Sequence, residues 1–147
     1  MTSVTIHRTT AISQAGDSDR QEIVFVGNRE DVDGRIELKF EEVLSAGEPP
    51  VPTIMTLQDQ VLTMHRETDL GGDMRFETKT FQELCYNTPA GVFSMQLYTD
   101  ALDVFLSPDI VEIDLKYRLF SEGELLSDVD MVIRAGTVTP ASLYELP

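Results

Sequence analysis

The chain has 147 residues, and its 26 acidic and 11 basic side chains give it a net charge of −15. Nucleic acids and anionic membranes are bound mainly through Lys and Arg, so this charge disfavours both as partners. There is no run of 18 apolar residues and no apolar segment after Met1, which disfavours a membrane span or a secretion leader. The single cysteine, Cys85, fits a reducing compartment, so we predict a cytoplasmic protein.

Alternating apolar and polar residues, typical of strands with one buried face, dominate the chain. In chain order, strands are predicted over 4–10, 21–28, 35–44, 53–57, 61–67, 73–80, 81–86, 92–101, 110–120 and 126–135. The polar stretch 11–20 and the proline-rich stretch 46–52 are predicted loops. The clearest inward rows are Ile36, Leu38 and Phe40 in one strand, and Val111, Ile113, Leu115 and Tyr117 in another.

Short turns between consecutive strands predict antiparallel pairing, because parallel crossovers need a dozen or more residues. Closing such a sheet removes edges that would otherwise promote aggregation. We therefore predict an all-β fold, a single antiparallel meander barrel of about eight to ten strands. A two-sheet sandwich is the alternative. The barrel domain is predicted over residues 1–135, with a polar C-terminal tail over 136–147.

Several short motifs in the middle of the chain resemble the YwiB-like family of uncharacterised bacterial proteins. They are the run 61–66 (VLTMHR), 74–76 (MRF), 86–91 (YNTPAG), Thr99, and Tyr117 on a long strand. The resemblance covers roughly residues 4–135 and implies a calycin-like (lipocalin-like) β-barrel without an established activity or catalytic residues. The tail after Ala135 and the loop around Pro49 depart from the pattern of that family.

Arg66 continues the inward row that Leu62 and Met64 begin. An inward guanidinium has to be paired or hydrated, because an unpaired buried charge is strongly unfavourable. One interpretation is a structural pair, with Glu42 on the inward register of its own strand as the partner. The other is a contact with a ligand carboxylate or phosphate, which the planar guanidinium suits. The sequence leaves both interpretations open.

Three further polar residues, Tyr86, Thr99 and Tyr117, fall on or near inward faces. Together with Arg66 they are the candidate ligand-binding residues, because an apolar ligand cavity needs a few polar groups to orient its occupant. The alternative is that all three are core residues whose hydroxyl groups have partners inside the protein.

Metal and catalytic chemistry have little support in the sequence. His7 and His65 lack neighbours at a metal-ligand spacing, and the acidic turn 30–34 lacks the later ligands of a calcium loop. Cys85 cannot form an internal disulfide and is interpreted as buried and inert. No catalytic motif was found, so we predict no catalytic residues, metal or cofactor, and an enzyme is disfavoured.

The leading functional interpretation is a non-catalytic barrel that binds a small amphipathic or anionic molecule in its interior or mouth. The alternative is a protein-interaction or structural module with a fully packed core, acting through its acidic outer surface or an exposed strand. The predicted partners are a small-molecule ligand and a second copy of the chain in a homodimer, with no nucleic acid and no membrane.

Overall fold

The computed structural model describes residues 2–43, 46–67 and 73–137, and for residues 86–88 it describes the backbone alone. These residues form ten strands and no helix, so none of them belongs to a helix able to cross a membrane. The strands are β1 (Thr2–Gln14), β2 (Asp17–Val32), β3 (Arg35–Glu42), β4 (Val51–Gln58), β5 (Val61–Arg66), β6 (Met74–Phe76), β7 (Thr80–Thr88), β8 (Gly91–Leu106), β9 (Ile110–Ser121) and β10 (Glu124–Thr137).

All ten strands belong to one antiparallel sheet with the order β6-β5-β4-β3-β2-β1-β10-β9-β8-β7. The sheet curls until β6 approaches β7 and forms a nearly closed barrel, so the predicted all-β meander barrel is confirmed. Strand neighbours are consecutive in sequence everywhere except at β1 and β10, which pair from Val4–Thr137 to Ser13–Asp128. The segment 81–86, predicted as a strand, lies in β7.

The two ends of the barrel differ because the strands differ in length. We call the end at the β1–β2 turn, Ala15–Gly16, the upper end, and the end at the β2–β3 turn, Asp33–Gly34, the lower end. Strands β3 to β6 have 3–8 residues, whereas β1, β2, β8, β9 and β10 have 12–16. The long strands therefore project beyond the short ones at the upper end.

Apolar side chains on the inward faces pack into one core between the two ends. The two inward rows predicted from alternation are largely buried: Leu38 and Phe40 in β3, and Val111, Ile113, Leu115 and Tyr117 in β9. Two aromatic pairs add to this core: Phe25–Phe40 joins the neighbouring strands β2 and β3 with ring centroids 4.8 Å apart, and Phe76–Tyr117 joins β6 to β9 with centroids 4.9 Å apart. Burial of this apolar surface is the main stabilising contribution to the fold.

The predicted loop over 11–20 is wrong, because β1 and β2 continue as a hairpin to a two-residue turn at Ala15–Gly16. Both turn residues have positive φ, 49° and 86°, as a tight hairpin turn requires. The strand ends are polar because they project past the barrel, where both faces meet water. The polar sequence over 11–20 therefore resembles a loop, although residues 11–14 of β1 are paired with residues 17–20 of β2.

The β2–β3 pairing is short, joining only Asn28–Val32 of β2 to residues 35–39 of β3. Above it, β2 pairs with β1 alone, and its other edge has no strand partner among the described residues. Gly27 stands where the two strands separate. A Cβ at this position would collide with the carbonyl oxygen of Lys39 and meet Ile6 and Phe40 at 3.1 Å, so glycine permits this close approach.

The seam between β6 and β7 is closed by the side chain of Gln82 rather than by a backbone ladder. Its Oε1 accepts a hydrogen bond from the Arg75 N–H at 2.7 Å, and its Nε2 donates to the Asp73 carbonyl at 2.9 Å. The primary amide thereby pairs with the edge of β6 as a peptide group of a neighbouring strand would. Two edge groups that would otherwise depend on water are satisfied in this way.

Strand β10 ends at Thr137, whose N–H donates to the Asp109 carbonyl at 2.9 Å. Two residues assigned to the predicted tail, Gly136 and Thr137, thus belong to the sheet. The rest of that tail, 138–147, lies outside the described residues.

Candidate functional site

Four polar side chains meet inside the upper end of the barrel: Arg8 of β1, Glu42 of β3, Thr53 of β4 and Arg66 of β5. We call them the upper-end cluster. Arg66 donates to Glu42 through Nε at 2.7 Å and Nη2 at 3.3 Å, and Thr53 donates through its hydroxyl at 2.7 Å. Arg8 donates through Nη1 to the Oε1 of the same carboxylate. The Glu42 side chain is only 2% exposed, and these bonds connect strands across the barrel interior.

Glu42 is held in its ionised form. Burial alone would raise the pKa of this carboxyl group, but hydrogen bonds from Arg66, Thr53 and Arg8 outweigh it, and the charge of Arg66 acts in the same direction. The pKa falls from 4.5 to about 2. At neutral pH the upper-end cluster therefore contains one carboxylate and two guanidinium groups, a net charge of +1 inside a chain of net charge −15.

The two arginines keep donors that Glu42 does not use. Among the described residues, no acceptor is bonded to Nη1 of Arg66 or to Nη2 of Arg8. Arg66 is 33% exposed, and the guanidinium of Arg8 lies 5.0 Å from the centre of the Phe25 ring. An anion that approached this end would meet planar donors already held in place by Glu42.

A cavity of about 630 Å³ lies beside the upper-end cluster, where β2 separates from β3; we call it the notch. It is bordered by residues 24–28, 39–41 and 52–54. Phe25 and Phe40 contribute apolar walls to the notch. Thr53 borders both the notch and the upper-end cluster, because it donates to Glu42 and is the cross-strand partner of Arg66 in the β4–β5 pairing. Its volume lies within the range of small-molecule sites.

The lower part of the barrel contains a different arginine. Arg29 of β2 is buried, and its Nη1 donates to the carbonyls of Ser107 at 2.9 Å and Pro108 at 3.4 Å in the β8–β9 turn. Its Nε and Nη2 form a bidentate pair with Asp31 at 2.9 and 3.1 Å. Arg29 thus joins β2 to a turn that is nearly 80 residues later in the chain, and its partner Asp31 is 58% exposed.

A second cavity opens at the lower end; we call it the lower mouth. Its volume is about 440 Å³. Apolar residues of β3, β4 and β8 line it, namely Ile36, Leu57, Leu102, Val104 and Leu106. The polar part of its lining consists of Gln58, Asp59, Gln60 and Asp103, together with the backbone of Gly34.

The structure separates the four residues predicted to bind a ligand. Arg66 is paired with Glu42, the partner that the interpretation as a structural pair named, and one of its guanidinium nitrogens has no acceptor among the described residues. Thr99 and Tyr117 are cross-strand partners in β8 and β9, and both are buried in the core. Tyr86 lies in β7 opposite Phe93, and its side chain is outside the described part of the chain. Ligand binding by these residues stays a prediction.

Two charged residues were missed by sequence reasoning: Arg8 of the upper-end cluster and Arg29 at the lower end. Arg8 continues the inward row of Val4 and Ile6, the same signal that identified Arg66. Arg29 follows Phe25 and Gly27 on the inward face of β2 and could have been found in the same way. Cys85 was expected to be buried, but it is exposed because it lies on the outward face of β7. The described residues contain no group of His, Cys, Asp and Glu able to hold a metal ion.

The arrangement defines a small up-and-down β-barrel protein with charged side chains inside both of its ends. Residues 6–133 match the family model described as "Domain of unknown function (DUF1934)", and the chain belongs to this family. The comparison with curated proteins found no match. The family assignment therefore does not indicate an activity.

Two solved structures resemble the chain. The ywiB protein from Bacillus subtilis matches with a TM-score of 0.81 and 18% identity over 94% of this chain and 93% of that one, which supports the barrel fold and the YwiB-like resemblance. The S-type phycobiliprotein lyase CPES from Guillardia theta matches with a TM-score of 0.39 and 8% identity over 92% and 87% of the two chains. We draw no argument from this second likeness.

Proposed function

We propose that the barrel binds a small anionic amphiphile at its upper end, without catalysis. The observation that carries this proposal is that two arginines share one buried carboxylate beside the notch. The anionic group of the ligand would bond to the unused donors of Arg66 and Arg8. Its apolar part would lie in the notch against Phe25 and Phe40.

Charge and shape both support this choice of ligand. A neutral apolar molecule would fill the notch but would leave the guanidinium donors in water, whereas an anion makes charge-assisted hydrogen bonds with them. Glu42 fixes the Arg66 guanidinium in advance, so little side-chain entropy is lost when the anion binds. The net charge of −15 repels anions from most of the surface and leaves the cluster as a local exception.

Binding of decanoate, measured by isothermal titration calorimetry with decan-1-ol as the uncharged probe, tests the proposal. We expect saturable binding of decanoate and at least about tenfold weaker binding of decanol. Arg66→Ala should weaken decanoate binding by a similar factor. Arg66→Lys keeps the charge but loses the planar fork, so it should recover only part of the affinity.

Arg118→Ala is the matched control, because Arg118 also forms a two-bond pair with a carboxylate, Asp100, but lies on the outer face. It should leave decanoate binding unchanged. Equal affinities for decanoate and decanol would contradict the proposal, and so would an equal loss of decanoate binding in the Arg66 and Arg118 variants.

A second candidate function, docking of an extended segment of a basic partner protein, is favoured by the free edge of β2. Residues 17–27 have no strand partner on the β3 side among the described residues. Val24 and Val26 are 59% and 78% exposed there, although natural sheets usually protect such edges. A partner strand could add to this edge by main-chain hydrogen bonds. The net charge of −15 favours a basic segment over a second copy of the chain.

A synthetic peptide that alternates lysine and valine tests this candidate by fluorescence anisotropy. Binding should weaken as salt is raised and should be lost in a variant with both Val24→Lys and Val26→Lys. A matched peptide with proline at alternate positions should not bind, since proline cannot donate to a ladder. Equal binding of the two peptides, or no effect of the lysine substitutions, would exclude strand addition.

A further inference from the structure

The lower mouth combines an apolar floor with carboxylates at its rim. Leu57 is buried, and Ile36, Leu102 and Val104 are half-buried, so the floor presents apolar surface to the opening. Asp59 lies in the β4–β5 turn on one side of the opening. Asp103 lies on β8 at the outer side of the opening, because it pairs with exposed Asp114, whereas its neighbours Leu102 and Val104 pair with the buried Leu115 and Ile113.

The charges around this opening favour a cation. No Lys or Arg side chain is among the residues that line the lower mouth. Two arginines at this end are already paired, Arg29 with Asp31 and Arg35 with Glu37. Asp103 stands directly opposite Asp114 in the β8–β9 pairing, and two like charges in this position repel each other. A cation at the rim would relieve that repulsion.

We propose that the lower mouth is a second binding site, which accepts an organic cation with a short apolar body. A primary alkylamine is the simplest member of this class. Its ammonium group would lie between Asp59 and Asp103, and its alkyl chain would cover Leu57 and Leu102. A cavity of about 440 Å³ accommodates a chain of about six carbons with its ammonium group.

The β4–β5 turn has side chains at two positions where glycine would be less strained. Asp59 and Gln60 have φ of 52° and 62°, in the left-handed region where glycine is the least strained residue. Glycine at position 60 would relieve strain, but it would remove an amide that lines the lower mouth. Gln60→Gly is therefore expected to raise the unfolding temperature and at the same time to weaken amine binding.

Titration of the methyl and amide NMR signals with hexylammonium, hexan-1-ol and hexanoate at pH 7 tests this site. We expect saturable shifts for residues of the lower mouth with hexylammonium. Hexanol should bind about fivefold more weakly, because it lacks the ion-pair contribution, and hexanoate should not bind there. Asp103→Asn should reduce hexylammonium affinity to that of hexanol without loss of stability, since it removes the repulsion from Asp114.

Asp17→Asn is the matched control, an acid-to-amide change at the exposed upper end of β2. It should leave hexylammonium binding unchanged. Equal affinities for hexylammonium and hexanol would overturn the proposal, as would shifts outside the lower mouth or unaltered binding in Asp103→Asn. These outcomes are independent of decanoate binding at the upper end, so either site can fail without the other.

Discussion

Both ends of the barrel contain a pair of an arginine and a carboxylate, but the carboxylates are in opposite environments. At the upper end, Glu42 is 2% exposed and receives bonds from two arginines and a hydroxyl. At the lower end, Arg29 is the buried member, and its partner Asp31 is 58% exposed. When its partners change, a buried carboxylate cannot be solvated by water, whereas an exposed carboxylate can. The upper-end cluster should therefore be the more sensitive of the two to substitution and to pH.

The largest difference is expected between Glu42→Gln and Asp31→Asn, two acid-to-amide changes at arginine pairs. Glu42→Gln leaves two largely buried guanidinium groups without a counter-charge, so we expect a loss of about 3–5 kcal/mol in the free energy of unfolding. Asp31→Asn should cost less than about 1 kcal/mol, because Asp31 is 58% exposed to water and Arg29 keeps its hydrogen bonds to the Ser107 and Pro108 carbonyls. Urea unfolding followed by circular dichroism measures both. Similar losses in the two variants would show that the ends do not differ in this way.

The next effect concerns acid. The folded-state pKa of Glu42 is about 2, below its ordinary value of 4.5, so its contribution to stability is complete above pH 4.5 and declines as the pH falls toward 2. The difference corresponds to about 3 kcal/mol. We expect the stability advantage of the wild type over Glu42→Gln to decrease by this amount between pH 4.5 and 2. A carboxyl ¹³C titration of Glu42 with a midpoint near 4.5 would contradict this expectation.

At the lower end, Arg29→Ala should cost about 2 kcal/mol, because it removes charge-assisted hydrogen bonds to the β8–β9 turn but leaves groups that are near water. Hydrogen exchange should quicken at Ile110 and Thr137, the amides around that turn, and change little at the upper end. Arg35→Ala is the control, since Arg35 at the same end is half-exposed and pairs with Glu37 alone. Quickened exchange at both ends would mean that the ends are not independent.

The smallest effect is expected between the ends, at Thr99. Its hydroxyl is fully buried and has no hydrogen-bond partner among the described residues. Thr99→Val removes that unpaired group at nearly constant volume and should raise stability by about 1 kcal/mol. A loss of stability in thermal unfolding would instead indicate that the hydroxyl is used, for example by the ligand role predicted from the sequence. Thr63→Val, at a less buried position of β5, provides the comparison.

The barrel could be predicted because alternation reports burial directly. The rows through Leu38 and Ile113 are inward in the structure because each strand of the barrel wall has one face in the core and one in water. The pair of Arg66 and Glu42 could be anticipated for the same reason, since both continue inward rows. Where the long strands leave the barrel, both faces are wet, the alternation vanishes, and a paired hairpin at residues 11–20 resembled a loop.

Other features depend on which strands meet, and alternation does not report this. Arg8 reaches Glu42, 34 residues away, only because the sheet curls. The notch arises because the β2–β3 pairing stops at Asn28. The Gln82 contact with β6 is equally invisible in the sequence, because a half-buried glutamine in a strand gives no sign that its amide faces an edge.

The seam closed by Gln82 has a consequence for chain connectivity. Every ladder except β1–β10 joins consecutive strands, and the seam lies in mid-chain, between β6 and β7. Val4 and Thr137 are cross-strand partners, so a short linker could join β10 to β1. A circular permutant opened at residues 77–79 would then begin at β7, end at β6 and pair each strand only with its neighbours in sequence. Such a chain has lower contact order and should fold faster than the natural one to the same barrel.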